Sequence, residues 1–548
     1  LVARLFDLQC IHGREMFRMG QDNQLTLATI IPQRGRIYDR NHEVLAENAA
    51  VFHLNLIPSE CRNPAETLAT LSTIIPLTAE NKANLLEQLN YRASKPIRIL
   101  SNLTTEQLDQ VSLNTYRLPG LSISSDYIRR YPCGAACASI TGYVTQEKHT
   151  RSHPRQRIAN PHVPLYSGVN GIEKNYDENL TGKQGAQQLH RTAQGKVVQQ
   201  DITLPALQGD DITLSIDSRL QKMIAKRMGK LRGAVVMIDP NNGDVLALYS
   251  SPSYDPNAFL QDSKYFTPFF SDPDKPLFNR VVSGLFPPAS TIKPFLILGA
   301  LQDNTITQET HIFDPGYFRY GKTSYIYHNW LRSGHQNVRP YKAILLSNDT
   351  FFYHLSLMLG IDKISDILGS WGFGTRSYID LPGEKNGLLP TREWKENLGK
   401  NWLVGDTIIT GIGQGAMLST PLQIAQAMAV LANHGTGFQP HLLLSSHHPS
   451  GQTTPIEPIQ LPPVNLKNEH YQHIIDAMSK VTTQGTGRRF GAFAWPVAAK
   501  TGTAQVARHS GKDKKYAKHL QDHSIFALFT PVKRPQVALV VLLENNHS

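Results

Sequence analysis

The sequence predicts an α+β protein whose C-terminal part is a central antiparallel sheet flanked by helices. Three observations predict it. GAVVMID-PNNG-DVLALYS (Gly233 to Ser250) is two apolar strand-like runs around a tight turn, and HSIFALFTP-VKRP-QVALVVLLEN (His523 to Asn545) repeats that form near the chain's end. VAAKTGTAQV (Val497 to Val506) is a further strand just before the second hairpin. Between the hairpins lie the helical runs KPFLILGALQD, FFYHLSLMLG and PLQIAQAMAVLANHG. Strands at both ends with helices between them fit a sheet whose terminal strands pair.

The elements before this region are shorter. RGRIYDRNHEVLAEN (Arg34 to Asn48) places a D-R-N-H turn between strand-like pieces, and VFHLNLIP (Val51 to Pro58) alternates as a strand does. PAETLATLSTII (Pro64 to Ile75) and TTEQLDQVSL (Thr104 to Leu113) open on cap-like residues and suit short helices. SGVNGIEKNYDENLTGKQG (Ser167 to Gly185) is a glycine-punctuated segment around a short helix, and QLHRTAQGKVVQQ (Gln188 to Gln200) is strand-like. ITLSID then SRLQKMIAKRM is a strand feeding an amphipathic helix. The polar step LQGDD, near Gln208, divides an N-terminal unit of residues 1–207 from a C-terminal unit of residues 208–548.

Composition narrows the function classes. In 548 residues, 40% are hydrophobic and 18% charged, which suits packed cores rather than a disordered chain. No run of 18 apolar residues occurs, so this chain has no membrane-spanning helix by sequence. It begins LVARLFDLQ, without methionine, and is read as trimmed. The net charge of +11 is spread along the chain, with one concentration at Ala507 to His519. Without zinc-finger spacing, an RNP signature or an arginine-rich helix, this is a solvated basic surface and nucleic acid is not an expected partner. Cys10, Cys61, Cys133 and Cys137 allow three complete pairings. A helix across Cys133 and Cys137 would hold their Cβ atoms too far apart, so free thiols are expected.

The chemistry centres on FPPASTIKPF (Phe286 to Phe295). Proline is tolerated only in a helix's first turn, so Pro294 puts a helix start near Ser290. There, free N–H groups favour a developing oxyanion, and Lys293 lies one turn on, within reach of the serine hydroxyl. A lysine can take that proton only if burial or neighbouring cations leave it neutral. Ser-x-x-Lys alone is more often a capping serine and a surface lysine. Ser347 and Asp349 in LLSNDTFFYHL form an S-x-D arrangement before a helix, and Lys500, Thr501, Gly502 and Thr503 lie on the strand VAAKTGTAQV. The three motifs in this order point to acyl transfer through a serine, as in β-lactamases and penicillin-binding proteins. Ser347 can relay a proton, Lys500 can help keep Lys293 neutral, and Gly502 allows close backbone approach.

At these residues the chain resembles a class B penicillin-binding protein, the elongation type (penicillin-binding protein 2) most. RGRIYDRN at Arg34, G-x-x-GIEK-x-Y at Gly168, IDPNNGDVLALYSSPSYDPNAF from Ile238 and FNR at Phe278 carry the resemblance further. GDT-x-x-x-GIGQGAMLSTPLQIA from Gly405 and DH-x-x-F-A at Asp522 complete it over nearly the whole chain. The resemblance implies a penicilloyl-serine transferase fold on an extended mixed α/β pedestal, an excised membrane anchor and a periplasmic location. It implies a peptidoglycan D,D-transpeptidase: Ser290 attacks the D-Ala-D-Ala bond of a stem peptide, and the amine of a second stem peptide then forms the cross-link. Lys293 is then the base, Ser347 the proton relay, and Asp349 a partner of Lys293. Lys500, Thr501, Gly502 and Thr503 contact substrate or β-lactam, and the backbone N–H groups of Ser290 and Thr503 form the oxyanion hole. Implied partners are a RodA-type (SEDS) glycosyltransferase, an MreC-type scaffold and β-lactam antibiotics; no cofactor is implied.

Three departures stand out. Ala289 replaces the glycine usual before the nucleophile, and Asp349 stands where the wider superfamily has asparagine, though aspartate is usual in the elongation type. Some relatives carry an Asp, Asp, His, Cys set that binds zinc; Asp314, Asn329, His335 and Asn348 align with it. Neutral amides are poor zinc ligands, so no zinc is expected. The rival readings are a β-lactamase of the same fold, which would not need the long N-terminal unit, a division-type homologue, and a non-catalytic activator or sensor.

Overall fold

The computed structural model describes residues 25–61, 63–77, 85, 97–146, 166–191, 197–260, 263–322, 325–506 and 521–546; Cys10 and the basic run 507–519 lie outside them. In the N-terminal half the elements are β1 (Leu25–Ile30), β2 (Ile37–Tyr38), β3 (Val44–Leu56), α1 (Pro64–Ile74), β4 (Ile97–Leu100), α2 (Thr105–Leu113) and β5 (Leu121–Arg130). After them come α3 (Gly171–Asn175), β6 (Gly185–Arg191), β7 (Val197–Leu204) and β8 (Asp211–Leu214). The two expected helices start where their caps predict: the Asn63 side chain accepts from Glu66 N–H, and Thr104 and Gln107 form a reciprocal capping box. Long β3 pairs along all of β5, from Glu47 opposite Arg130 to Leu56 opposite Leu121. Its inward side chains Leu54 and Leu56 join Leu68, Leu71, Ile97 and Val111 in a small separate core. The run 188–200 contributes to both β6 and β7, which form a three-stranded sheet with β1.

The C-terminal half holds α4 (Ser218–Met228), β9 (Gly233–Ile238), β10 (Val245–Ser251), α5 (Lys293–Gln302), α6 (Asp349–Ser370) and α7 (Pro421–Ala432). It continues with β11 (Leu443–His447), α8 (Asn468–Ser479), β12 (Ala498–Ala504), β13 (His523–Thr530) and β14 (Val537–Leu543). Five strands make one antiparallel sheet in the order β10-β9-β14-β13-β12, so the terminal strands pair as expected, Gly233 opposite Leu543. Alternation sorts the side chains between its faces. Ala234, Val236, Val540 and Leu542 join the main core around α7, whose residues are all buried. Val235, Ala247 and Tyr249 meet Ile224 and Met228 of α4 on the other face. The run FFYHLSLMLG ends at a break inside α6, where Gly360 has φ 72°.

The halves share one apolar core, in which Ile37, Ile140 and Ile172 lie with Ile212, Val236 and Leu248, and further contacts tie them together. Strand β8 pairs parallel with β2 and antiparallel with β11, so one sheet carries strands from both. Close by, Glu173 of α3 is fully buried and accepts from Arg34 Nε and Arg129 Nε, each at 2.7 Å, and from the Tyr131 hydroxyl at 3.3 Å. Arg34 also meets Asp177 at 2.8 Å. The Tyr176 hydroxyl donates across to Asp380 at 2.9 Å, whose carboxylate also accepts from the N–H groups of Leu442 and Leu443.

The cysteine expectation needs correction. Cys133 and Cys137 form a disulfide, with Cα atoms 5.6 Å apart. The intervening Gly134–Ala136 is a tight 3-10 turn rather than part of an α-helix, and that turn brings the pair within bonding range. Cys61 is a free thiol. Among the described residues no helix is long and apolar enough to cross a membrane.

Candidate active site

Ser290 lies in a 3-10 turn, Ala289–Ile292, that leads directly into α5 at Lys293. The proline-rich entry thus sets the helix start one turn beyond the serine. Ala289 has φ 49°, the left-handed region where the family's usual glycine would sit without strain. Its N–H donates to the Gly413 carbonyl at 2.8 Å, and a Cβ on Gly413 would come within 2.3 Å of the Ala289 oxygen. The GIGQG segment therefore packs backbone to backbone against the nucleophile turn. On its other flank, a Cβ on Gly502 would meet Thr291 Cγ2 at 3.1 Å, so glycine lets β12 lie close.

The three motifs converge. Lys293 is fully buried, above the Phe352 ring, and its Nζ donates to Asp349 Oδ1 at 2.7 Å and to the Ser347 carbonyl at 3.0 Å. Ser347 Oγ lies 3.5 Å from Lys293 Nζ and 2.8 Å from Lys500 Nζ, and Lys500 also donates to the Thr501 carbonyl at 2.9 Å. Ser347 has φ 51°, so this loop too is held in the left-handed region. Among the described residues no hydrogen bond engages Ser290 Oγ, and Lys293 points to the S-x-D loop; nucleophile–base contacts commonly tighten only with substrate present.

Burial pushes the Lys293 ammonium below the ordinary lysine range, and Asp349 opposes this without cancelling it. Lys500, also fully buried, is pushed well below by burial first and by the charge of Lys293 second. Two buried lysines around one hydroxyl therefore resist carrying two full charges.

Several neighbours were not among the expected site residues. Thr486 Oγ1 bonds to Thr501 Oγ1 at 2.7 Å, and Gln414 Nε2 donates to the Thr503 carbonyl at 3.0 Å. Trp330 donates its indole N–H to the Leu346 carbonyl at 3.0 Å, beside Ser347. A Gly-Thr-Gly run at 485–487 and the GIGQG run are the only sequence signals for the first two. Asp314, Asn329, His335 and Asn348 also come together, directly behind the S-x-D loop. Two amide nitrogens occupy this cluster, and neither can ligate a cation, so the residues do not fit zinc. Among the described residues no group of three or more His, Cys, Asp or Glu is placed to hold a metal ion.

Comparison with known proteins gives the family. Residues 233–548 match the penicillin binding protein transpeptidase domain family, and residues 29–214 the penicillin-binding protein dimerisation domain family. The peptidoglycan D,D-transpeptidase MrdA of Escherichia coli K12 is 35% identical over 559 residues, covering 100% of this chain and 88% of that protein. A Helicobacter pylori PBP2 solved with MreC superposes with TM-score 0.79 at 28% identity, covering 95% of both chains. Pseudomonas aeruginosa PBP2, solved with WCK 5153, gives TM-score 0.70 at 31% identity, covering 95% of this chain and 93% of that one. From pedestal to terminal strand, the chain belongs to the class B penicillin-binding proteins, with PBP2 and MrdA among its relatives.

Proposed function

We propose that this chain is the peptidoglycan D,D-transpeptidase of an elongation system, a serine enzyme that β-lactams acylate. The observation that supports it most is the Ser347 hydroxyl, placed between two buried lysines beside the Ser290 turn. In this reading Ser290 Oγ attacks the carbonyl carbon of the penultimate D-alanine while its proton passes to an uncharged Lys293. The oxyanion is held by the backbone N–H groups of Ser290 and Thr503. The C–N bond then breaks as Ser347 hands its proton to the departing D-alanine amine, and Lys293 restores the Ser347 proton. The amine of a second stem peptide attacks the ester, gives up its proton along the same path, and releases Ser290 as the new amide forms. Thr501, Thr503 and Lys500 hold the substrate carboxylate, and Asp349 holds Lys293.

The pedestal reading places a non-catalytic unit at 1–207 and the catalytic unit at 208–548. It gives the pedestal a RodA-type glycosyltransferase and an MreC-type scaffold as partners; the MreC complex of the Helicobacter pylori relative supports the second. An N-terminal anchor and a periplasmic catalytic unit belong to the same reading. Labelling with a fluorescent penicillin tests it: wild type should hold a stable label and Ser290→Ala none. Rapid loss of label would instead indicate a hydrolase, and an unlabelled wild type an activator or sensor.

A further inference from the structure

Asp314, Asn329, His335 and Asn348 are drawn together in this protein by hydrogen bonds. Asp314 ends the strand Ile312–Asp314, Asn329 follows Ile326–His328, His335 precedes Gln336–Val338, and Asn348 caps α6. Asp314 Oδ2 accepts from Asn348 Nδ2 at 2.6 Å, Asn329 Nδ2 at 2.7 Å and the His335 backbone N–H at 2.9 Å. The same two amide groups reach His335 Nδ1 at 3.0 and 3.1 Å. Ligand atoms around a tetrahedral zinc would stand about 3.4 Å apart. These are the spacings of hydrogen bonds, with no room for a coordination shell.

The amides are not free to turn their oxygens inward. Asn329 Oδ1 accepts from the N–H groups of Trp330 at 3.0 Å and Asp349 at 3.2 Å, and Asn348 Oδ1 accepts from Phe351 N–H at 2.7 Å. A flip would leave these backbone donors facing an NH2 group. Both asparagines are therefore locked with N–H bonds toward the centre, which suits the Asp314 carboxylate, itself 3.1 Å from His335 Nδ1, and repels a cation.

We propose that this amide-locked cluster is a metal-free positioning device for the S-x-D loop. Three consecutive residues are tied to it: Asn348 by its side chain, Asp349 by its N–H to Asn329, and Thr350 by its hydroxyl to Asp314 Oδ1 at 2.7 Å. Ser347, in its left-handed conformation, immediately precedes them, and the loop so fixed presents Ser347 Oγ and Asp349 Oδ1 to the two lysines. Asn329, Asn348, Asp314 and His335 are positioning residues, acting through Ser347 and Asp349.

The test uses the full chain and rests on the transpeptidase reading only for its labelling arm. Wild type dialysed against zinc should take up no stoichiometric metal, and chelator should leave its fluorescent-penicillin labelling rate unchanged. The pair Asn329→Asp with Asn348→Cys restores four ligands. Metal-free, that variant should label about 10–100-fold more slowly, with the loss in the maximal rate rather than in the half-saturating concentration. Zinc should bind it one to one, raise its Tm and restore the rate. Stoichiometric zinc in wild type, slowed labelling of wild type by chelator, failure of the double variant to take up zinc, or wild-type labelling by its metal-free form would each overturn the proposal. If wild type takes no label at all, the transpeptidase reading fails, while zinc content and Tm still decide this one.

Discussion

Ser347 Oγ lies between Lys293 Nζ and Lys500 Nζ, placed to pass a proton between an amine and the substrate. Ser347→Ala should therefore slow acylation by about 10²–10⁴-fold, read as the fluorescent-penicillin labelling rate. The lysine shifts have a sign. A base whose pKa is lowered becomes neutral at lower pH, so the labelling rate should rise with pH along a limb whose midpoint lies below 10.5. Asp349→Asn removes the negative charge that raises the Lys293 ammonium and should move that limb downward. Ala289 makes a prediction on stability. Its left-handed φ costs about 1–2 kcal/mol, glycine's extra unfolded freedom about 0.4–1, so Ala289→Gly should stabilise by about 0.5 kcal/mol in a denaturant titration.

Among the elements, α3 carries the most concentrated electrostatic commitment outside the active site. Burial alone would raise the Glu173 carboxyl, but Arg129 and Arg34 outweigh it and hold it below the usual range. A depressed carboxylate contributes stability above its unfolded pKa and loses it as pH falls through the folded value, so this contribution should fade below about pH 4.5. Glu173→Gln leaves two buried guanidinium groups short of their anion and should cost about 3–5 kcal/mol at neutral pH, with a smaller difference from wild type in acid. Sequence could show GIEK as a motif but not that its glutamate meets Arg34 and Arg129, because those partners lie more than a hundred and some forty positions away in the chain. Elements with their own caps or alternation, such as α1, α2 and the two hairpins, were readable because their determinants are local. The Cys133–Cys137 bridge was not: a helix and a tight turn place residues four apart at different distances, and the turn signal of Pro132 and Gly134, which has φ 55°, was not weighed.

For the whole molecule, the join between halves rests on a shared apolar core, shared sheet pairing and side chains such as Tyr176. Tyr176→Phe removes one bond to the Asp380 carboxylate and should cost about 1.5 kcal/mol, lowering Tm while leaving penicillin labelling near wild type, since Asp380 keeps two backbone donors. Of the candidate site, the meeting of Lys293, Ser347, Asp349 and Lys500 was readable, because the spacing within each of the three motifs is local. Thr486 and the orientation of Asn329 were not, because the Thr501 hydroxyl and the Asp349 N–H that hold them come from separate stretches of the chain. The pairing of Gly233–Ile238 with Val537–Leu543 has a consequence for biogenesis. If the chain emerges in order at roughly 5–20 residues per second, the early strand waits about 15–60 s for its neighbour. Over that interval its apolar edge has no native mate and needs shielding by a chaperone, and a message truncated before the last codons would leave it exposed for good.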